Sequence, residues 1–145
     1  MLRLTNLADY AVVVMTAAAR AGACASAASI ARSTGLSAAT AAKLLNLLAR
    51  SGLLVSTRGA AGGFRLARPA GSISLVDIVE AIDGPIALTH CVAHGPQHCD
   101  VGAFCCVASH WPVINRAVRD ALKSVNLATL AAVAPSPAPA EAEVV

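Results

Sequence analysis

The chain has 145 residues, of which 57% are hydrophobic, and a formal net charge of +3. This length fits one domain, and the single Trp, single Tyr and two Phe leave Leu, Val, Ile and Ala to build a mainly helical core. The apolar run Tyr10–Ala19 is too short for a membrane span, which needs about 20 residues, and Asp9 interrupts the start that a signal peptide would need. We therefore expect a cytoplasmic protein without a membrane partner.

Charge is distributed unevenly along the chain. Residues 1–68 contain eight basic residues and one acidic residue, whereas residues 69–145 contain three basic and seven acidic residues. A concentrated basic segment is the electrostatic feature expected of a protein that binds a polyanion. The first half is therefore predicted to contact nucleic acid, with a charged face that serves only solubility as the alternative.

Three helices are predicted in the basic half. The first covers about 5–20, Ser26 caps a short second helix, and Ser37 caps a third helix that ends at Gly52. The third helix has an apolar stripe made of Ala41, Leu44, Leu45 and Leu48. Its opposite face is small and basic and consists of Ala39, Lys43, Asn46 and Arg50. With Gly35 at the turn between the last two helices, this order predicts a helix-turn-helix.

A β-hairpin is predicted directly after the third helix. Its strands are Leu53–Thr57 and the FRL segment at 64–66, and its tip is the RGAAGG segment at 58–63. A hairpin in this position is the wing of a winged helix, and its glycines allow close approach to a phosphate or groove. Arg58 is placed to enter a minor groove, and Arg65 and Arg68 to meet phosphates. An ordinary hairpin with surface arginines is the alternative.

The acidic half contains two further predicted helices. The first starts with a capping box from Ser74 to Asp77 and stops at Gly84. The second covers about 111–130 and, without an intramolecular partner, is predicted to mediate dimerisation. The predicted division of the chain is 1–84 for the winged helix-turn-helix, 85–110 for a cysteine-rich loop, 111–131 for the dimerisation helix and 132–145 for a disordered tail.

Four of the five cysteines and all four histidines lie within residues 89–111. Cys91, Cys99 and Cys105 have C-x7-C-x5-C spacing, and Cys106 follows directly. The chain lacks the paired C-x2-C elements of a zinc ribbon, and thiolates suit iron–sulfur clusters, zinc and copper(I). A cluster, a zinc ion and redox-active thiols all stay open at this point. The isolated Cys24 is predicted to be a small buried hydrophobe.

Three segments resemble the Rrf-type (IscR-like) iron–sulfur regulators: LTNLADYAVVV, LSAATAAKLLNLLARSGLLVSTRGAAGGFRLARP, and the cysteine loop leading into Trp111 and INRAV. The similarity covers residues 1–130, and its most specific part is the wing. DGPIALTHC and WPVINRA are closest to regulators of the SUF assembly system. The resemblance implies a mainly α fold, with a winged helix-turn-helix, a β-hairpin wing, a cysteine-rich loop and a long C-terminal dimerisation helix.

The function implied by this resemblance is transcriptional regulation by a homodimer that binds double-stranded DNA. An iron–sulfur cluster, 2Fe–2S or 4Fe–4S, would control genes for cluster assembly of the SUF or ISC type, or stress genes. No small-molecule substrate is expected, and the chain has no nucleophile–base motif, nucleotide loop or carboxylate pair that would indicate an enzyme. Two alternatives are a winged-helix regulator that senses thiol oxidation or nitric oxide directly, and an electron-transfer protein on a winged-helix scaffold.

The resemblance also implies the cluster ligands. The family cysteines correspond to Cys91, Cys99 and Cys105, because the third family cysteine lies six residues before the tryptophan, and Cys106 is then spare. IscR-like proteins have a histidine three residues after the third cysteine, where this chain has Ala108. Nitric-oxide-sensing relatives use a carboxylate from the first helix of the other subunit.

That carboxylate position corresponds to Asp9, which is therefore the favoured fourth ligand, donated by the partner subunit. His110 and Cys106 are the main alternatives, and His94 and His98 are also available.

The recognition helix departs from the family pattern, because Ala39 and Ala42 occupy positions where IscR-like proteins have polar or acidic residues. Fewer hydrogen-bonding side chains imply a different or looser operator, with more reliance on Arg58 and on DNA shape. The predicted DNA contacts are Ser37, Thr40, Lys43, Arg50, Arg58, Gly59, Gly62, Gly63 and Arg65.

Overall fold

A computed structural model describes residues 3–133 of the chain. The elements, in chain order, are α1 Asn6–Ala21, α2 Ala27–Thr34, α3 Ala38–Arg50, β1 Leu54–Thr57, β2 Gly63–Leu66, α4 Leu75–Asp83, α5 His90–His94, α6 Trp111–Lys123 and α7 Leu127–Ala132. Short 3-10 turns cover Ala70–Ser72, Pro96–His98 and Gly102–Phe104. The mainly α fold with one small antiparallel sheet is the predicted fold class.

Hydroxyl side chains define the starts of the first three helices. The Oγ1 of Thr5 accepts a hydrogen bond from the backbone N–H of Ala8 at 3.0 Å, and Ser26 and Ser37 accept equivalent bonds three residues ahead. Each bond satisfies one of the N–H groups that a helix leaves unpaired at its start. Gly35 ends α2 in the left-handed conformation. The predicted caps and turn of the helix-turn-helix are therefore confirmed.

The core lies where α1, α3, α4 and the start of β1 meet. The stripe predicted on α3 is fully buried, and Met15 of α1 and Ile78 of α4 are buried with it. Full burial of one such side chain contributes about 1.5–3 kcal/mol, so these few residues hold the helix-turn-helix rigid. The opposite face of α3 stays exposed and includes Lys43 and Arg50.

The hairpin predicted after α3 is present. β1 and β2 are antiparallel, and their register pairs Val55 with Arg65 and Thr57 with Gly63. A bridge from Ala25 to Phe64 then ties β2 to the segment between α1 and α2 through hydrogen bonds of 2.8 and 2.9 Å. The wing is thus fixed to the helix-turn-helix at its base.

Cys24 is exposed, so the prediction that it is buried is wrong. The physical reason is the bridge at the neighbouring residue. Ala25 is in extended backbone paired with Phe64, and its side chain is buried. Successive side chains of extended backbone point to opposite sides, which turns the Cys24 thiol towards solvent.

The predicted capping box of α4 is also present. Ser74 Oγ accepts from the N–H of Asp77 at 3.2 Å, and Asp77 Oδ2 accepts from the N–H of Ser74 at 2.8 Å. Arg68 adds an ion pair to Asp77 at 3.0 Å and a hydrogen bond to the carbonyl of Ser72. Burial acts to raise the pKa of Asp77, but the bonds from Ser74 and Arg68 outweigh it and lower the pKa. Arg68 is therefore engaged within the chain, and its role at phosphates stays a prediction.

The long helix predicted over about 111–130 is instead two helices. α6 ends at Lys123, and Asn126 begins α7 by accepting a hydrogen bond from the N–H of Thr129 at 2.9 Å. Residues 125–127 run antiparallel to residues 73–75, and the side chain of Leu127 is fully buried in the core. The prediction of one continuous helix is wrong because this capping residue and the core site for Leu127 turn the chain back.

The end of α7 lies against α1. Arg20 of α1 donates hydrogen bonds to the carbonyls of Ala131 and Val133, which are otherwise free at a helix C-terminus. Ala132, placed by prediction in a disordered tail, is the last residue of α7, and residues 134–145 lie outside the described residues. Within the described part of the chain, none of the helices combines the length and the apolar character needed to cross a bilayer.

Candidate functional site

The N-terminal turn of α3 holds two of the predicted base-contacting residues. Ser37 Oγ accepts from the N–H of Thr40 and donates to Thr40 Oγ1 at 2.8 Å. This bond uses the hydroxyl proton of Ser37, while Thr40 keeps its own hydroxyl proton to donate, and Thr40 is half-buried. Ala39 is exposed beside them and offers a methyl group of the kind that contacts the thymine methyl in a major groove.

Basic side chains extend this surface onto the rest of α3 and the wing. Lys43 and Arg50 are exposed on α3, and Arg58 and Arg65 are exposed on the wing. Between residues 3 and 133 the ion pairs are Arg68–Asp77 and Arg119–Glu80, so these four cations are free of carboxylate partners there. Free cations on a winged helix are what a phosphate backbone requires.

The three glycines of the wing differ in the space around their Cα atoms. A Cβ on Gly62 would lie 2.3 Å from the carbonyl oxygen of Thr57, and a Cβ on Gly63 would lie 2.5 Å from that of Ala25. Both positions need glycine because the chain's own backbone fills the space. Gly59 faces open space with a φ of 108°, so it is the glycine of the tip with room for a close approach to DNA.

The cysteine-rich loop is a series of short turns. Cys91 lies in α5, and Cys99 and Cys105 each come directly after a 3-10 turn. These three cysteines are partly buried, whereas Cys106, like Cys24, is exposed, and all five thiols are free. The three partly buried cysteines, hereafter the thiol trio, are thus distinguished from the other two by their surroundings.

Local contacts hold two members of the thiol trio. The Oγ1 of Thr89 lies 3.1 Å from Sγ of Cys91, within hydrogen-bonding range. The two 3-10 turns press together at Gly102, where a Cβ would lie 2.3 Å from the carbonyl oxygen of Pro96 and 3.5 Å from Cβ of Cys99. A side chain at 102 would therefore force the turn that precedes Cys99 to move.

The donor chemistry of the loop fits an iron–sulfur cluster, since three thiols lie within fifteen residues and none is spent in a disulfide. Within the described residues, however, three His, Cys, Asp or Glu side chains do not come together around one point. Of the suggested fourth ligands, Asp9 is exposed on the first turn of α1. His110 is exposed at the start of α6, with its Nδ1 3.4 Å from Ser109 Oγ.

Three side chains join the ends of the loop to the helix-turn-helix, a group that we term the clasp: Glu80, Asn115 and Arg119. Asn115 of α6 donates to the carbonyl of Ile86 and accepts from the N–H of Leu88, both at 2.9 Å. Glu80 of α4 accepts from the N–H of Ile86 at 3.2 Å. The segment that enters the loop is therefore held between α4 and α6.

The charged part of the clasp is a two-point ion pair. Arg119 donates from Nε and from a terminal nitrogen to the two carboxylate oxygens of Glu80, each at 2.9 Å. The hydrogen bond from Arg119 is the main reason that the pKa of Glu80 is lowered, and the same bond raises the pKa of Arg119. The clasp could not be predicted from the sequence, because its members are separated by up to 39 residues.

The outer side of α6 and the end of the loop carry exposed apolar side chains. Phe104 is 94% exposed and Val113 is 66% exposed, and Val107 and Ile114 lie on the same stretch. We call these four residues the apolar surface. Large exposed apolar side chains that recur on neighbouring elements are typical of a protein interface.

A helix-turn-helix with a short β wing and exposed cations on both is the architecture of a winged-helix DNA-binding protein. The Rrf2 family profile, described as an iron-dependent transcriptional regulator, matches residues 4–133. The chain therefore belongs to the Rrf2 family and is a transcriptional regulator, not an enzyme.

Individual relatives agree with this assignment. The chain is 35% identical over 124 residues to the protein aau3 of Rhizobium meliloti, covering 85% of this chain and 76% of that protein. It is 30% identical over 103 residues to the HTH-type transcriptional regulator IscR of Xenorhabdus nematophila, covering 71% and 62%.

Two solved structures share the fold over nearly the whole chain. CymR, the global cysteine regulator of B. subtilis, has a TM-score of 0.72 and 27% identity, covering 93% of this chain and 100% of its own. T. potens IscR has a TM-score of 0.67 and 26% identity, covering 93% and 94%. The chain is thus similar both to IscR proteins and to CymR, which is described as a global cysteine regulator.

Proposed function

We propose that this protein is a cytoplasmic, homodimeric regulator whose binding to promoter DNA depends on an iron–sulfur cluster held by the thiol trio. Its target genes would be those of cluster assembly, of the SUF or ISC type, or stress genes. The observation that carries the proposal is that the trio implied by the family resemblance is also the set of partly buried cysteines, while Cys24 and Cys106 are exposed.

The DNA-binding part of the proposal rests on α3 and the wing. Lys43, Arg50, Arg58 and Arg65 would neutralise phosphates or enter a groove, and their release of counterions would make binding salt-dependent. Ser37, Thr40 and Ala39 would meet base edges at the N-terminal turn of α3. Because Ala39 and Ala42 offer no hydrogen-bonding side chain and the Ser37 hydroxyl proton is already used, DNA shape would carry much of the sequence preference.

The homodimer would form through α6. The apolar surface has no cover from the described residues, and burial between two copies would remove it from water. A dimer would also allow Asp9 of one protomer to serve as the fourth ligand for the thiol trio of the other. Two α3 helices at a fixed separation would then fit two half-sites of an operator.

When bound, the cluster would supply an iron–thiolate centre whose stability responds to iron, oxygen or nitric oxide. The clasp would transmit the presence or absence of the cluster from the loop to α6 and α4. Cys91 follows Leu88 by three residues, and Leu88 is bonded to Asn115. A shift in the loop would therefore be felt by α6, and through Arg119 and Glu80 by α4, which packs on the helix-turn-helix.

The test is anaerobic purification of the full-length protein, with iron and sulfide measured for wild type, Cys105→Ser, Cys106→Ser and Asp9→Ala. We expect iron in wild type and in Cys106→Ser, loss of iron in Cys105→Ser, and reduced retention in Asp9→Ala with the dimer intact. DNA binding of iron-loaded and iron-free protein is then compared. An iron-free wild type, or identical binding by both forms, would contradict the proposal.

A second function is direct sensing of thiol oxidation, favoured by the similarity to CymR, the cysteine regulator. Cys106 and Cys24 are exposed, and Thr89 lies beside Cys91, so several thiols are reachable by an oxidant. This function predicts a colourless protein whose mobility on a non-reducing gel and whose DNA affinity both change with peroxide. Unchanged DNA affinity after oxidation would count against it.

A further inference from the structure

Helix α5 carries two histidines at its two ends. His90 and His94 are four residues apart, so they lie on the same face, one turn above the other. Their ring centroids are 4.5 Å apart and the ring planes are inclined by 51°. The two imidazole rings therefore lie within contact distance of each other on the exposed face of α5.

Both imidazoles are available to a ligand. Both residues are exposed, and among the described residues neither ring is hydrogen-bonded to another side chain. A metal ion bound by two imidazoles at about 2.1 Å needs nitrogens roughly 3–3.5 Å apart. Ring centroids at 4.5 Å allow that separation after small rotations of the side chains.

The spacing matches a known chemical arrangement with one informative difference. In the helical H-E-x-x-H motif, two histidines at the same spacing bind zinc and the glutamate acts as general base. Here Cys91 occupies the position of that glutamate. The pair therefore has the metal-binding half of such a site and lacks the base that would make it hydrolytic.

We propose that His90 and His94 form a binding site for one divalent transition-metal ion of the Ni2+, Zn2+ or Cu2+ class, separate from the thiol trio. Imidazole nitrogens suit these ions. Among the described residues, no third His, Cys, Asp or Glu side chain joins the pair, so water completes the coordination. Cys91 lies about 100° around the helix from His90 and has Thr89 beside its thiol.

Metal binding here has a structural consequence for the loop. A helix of five residues is too short to be stable alone, and Gly95 ends this one immediately. An ion bound by its first and last residues joins the two ends of α5. The position of Cys91 within the loop is then fixed by a metal that the thiols do not bind.

The experiment is a calorimetric titration of reduced, cluster-free, full-length protein with Ni2+. We choose Ni2+ because it prefers imidazole ligands more clearly than Zn2+ does, whereas Zn2+ is also a usual ion for thiolates. Wild type is expected to bind one equivalent with no thiolate-to-nickel charge-transfer absorption. His90→Gln and His94→Gln each weaken binding about tenfold or more. His110→Gln is the matched control and binds Ni2+ as wild type does, because it keeps both members of the pair.

Three outcomes overturn the inference: equal Ni2+ affinity in wild type and both pair variants, a thiolate charge-transfer band in the wild-type complex, or an equal loss in His110→Gln. Iron content separates this site from the proposed cluster. His90→Gln and His94→Gln keep the iron of anaerobically purified wild type, and loss of that iron in either variant would place the histidine in the cluster site instead. The outcome of the nickel titration is independent of whether the protein holds a cluster.

Discussion

The charges that we expect to face DNA in this protein belong to individual exposed residues. Lys43 and Arg50 on α3, and Arg58 and Arg65 on the wing, are free of ion pairs within residues 3–133, whereas Arg68 is bonded to Asp77. An arginine already bound to a carboxylate has less to gain from a phosphate, because the pair must first be broken. The four free cations are therefore the ones whose removal should weaken DNA binding.

Arg58→Ala is expected to weaken binding to a DNA duplex selected by the wild-type protein about tenfold, and to reduce the salt dependence by about one counterion. Arg58 is exposed at the wing tip next to Gly59, so the change removes a contact without disturbing the core. Fluorescence anisotropy at several salt concentrations measures both effects. Arg116→Ala, which removes an exposed charge from α6, is the control, and an equal loss there would contradict a special role for Arg58.

Single residues whose role depends on near neighbours could be predicted from the sequence. Ser37 and Ser74 were identified as helix caps because the N–H groups that they bind lie three residues ahead. The prediction that Cys24 is buried is wrong, because the exposure of this side chain is decided by the bridge between Ala25 and Phe64. These two residues are 39 positions apart in the sequence. Local chemistry predicts a cap, but not which side of a bridged segment faces solvent.

At the scale of elements, α7 is the part of the chain after the cysteine-rich loop that belongs to the core. Leu127 is fully buried, and Arg20 of α1 binds the carbonyls at the end of the helix. A short helix of this kind is stable only because its side chains are packed. The core of the winged helix is therefore completed by residues that follow the cysteine-rich loop in the sequence.

Leu127→Ala is expected to lower the free energy of unfolding by about 2–5 kcal/mol, the usual cost of deleting a fully buried leucine side chain. Urea denaturation followed by circular dichroism measures the change. Leu130→Ala on the same helix is the control, since Leu130 is only half-buried and should cost distinctly less. Equal losses would mean that α7 is not docked through Leu127.

The clasp predicts a dependence of stability on pH. Because the bond from Arg119 lowers the pKa of Glu80, the ion pair stabilises the folded state above the unfolded pKa of about 4.3 and is lost as pH falls through the lower folded value. Glu80→Gln should therefore melt at a lower temperature than wild type at pH 7, and this difference should shrink below pH 4. The partial exposure of Arg119 keeps the effect modest.

Melting curves from pH 7 to pH 3 test this dependence, with Asp120→Asn as the control because it removes an exposed acid from α6 and leaves the clasp whole. A gap between wild type and Glu80→Gln that stays constant through the acid range would show that the ionised pair contributes nothing.

The sequence predicts helices with an uninterrupted apolar periodicity well, but it does not predict where such a periodic stretch is divided into two helices. The pattern of α6 continues across Ser124 and Val125 into α7, so the sequence favoured one helix. The break depends on Asn126 acting as a cap and on Leu127 finding a site in the core. The cap was visible in the sequence, but the core site is a product of the whole fold.

At the scale of the whole molecule, exposed apolar side chains recur at the end of the cysteine-rich loop and on α6. Phe104 and Val107 of the loop, together with Val113 and Ile114 of α6, form the apolar surface. On α6, the clasp residues Asn115 and Arg119 face α4 and the segment before the loop, and Val113 lies on nearly the opposite side of the helix. Pairing two copies there would leave both α3 helices free for DNA.

The double variant Val113→Glu, Ile114→Glu is expected to convert the proposed dimer into a monomer, because two carboxylates cannot be buried unpaired in an apolar interface. Sedimentation velocity would show a mass near 14.5 kDa in place of twice that value. Lys123→Glu, exposed at the end of the same helix, is the control and should stay dimeric. A double variant that remained dimeric would place the interface elsewhere.

The site itself could be predicted only as a set of donors. Spacing and resemblance singled out Cys91, Cys99 and Cys105, and the partial burial of all three agrees with a shared role. Their mutual arrangement depends on how three short turns fold against one another, including the close contact at Gly102, which sequence periodicity does not describe. The clasp was likewise invisible, since it joins residues from α4 and α6.

The clasp also implies that the cysteine-rich loop could be replaced by a different segment. Asn115 binds both Ile86 and Leu88, so the point where the chain leaves α4 and the point where it re-enters α6 stay side by side whatever lies between them. A segment whose two ends are pinned together can be lengthened, shortened or exchanged without disturbing the frame that holds it. One scaffold with this arrangement could acquire a new chemical input by replacing the residues between Leu88 and Trp111, while the helix-turn-helix and the wing are inherited unchanged.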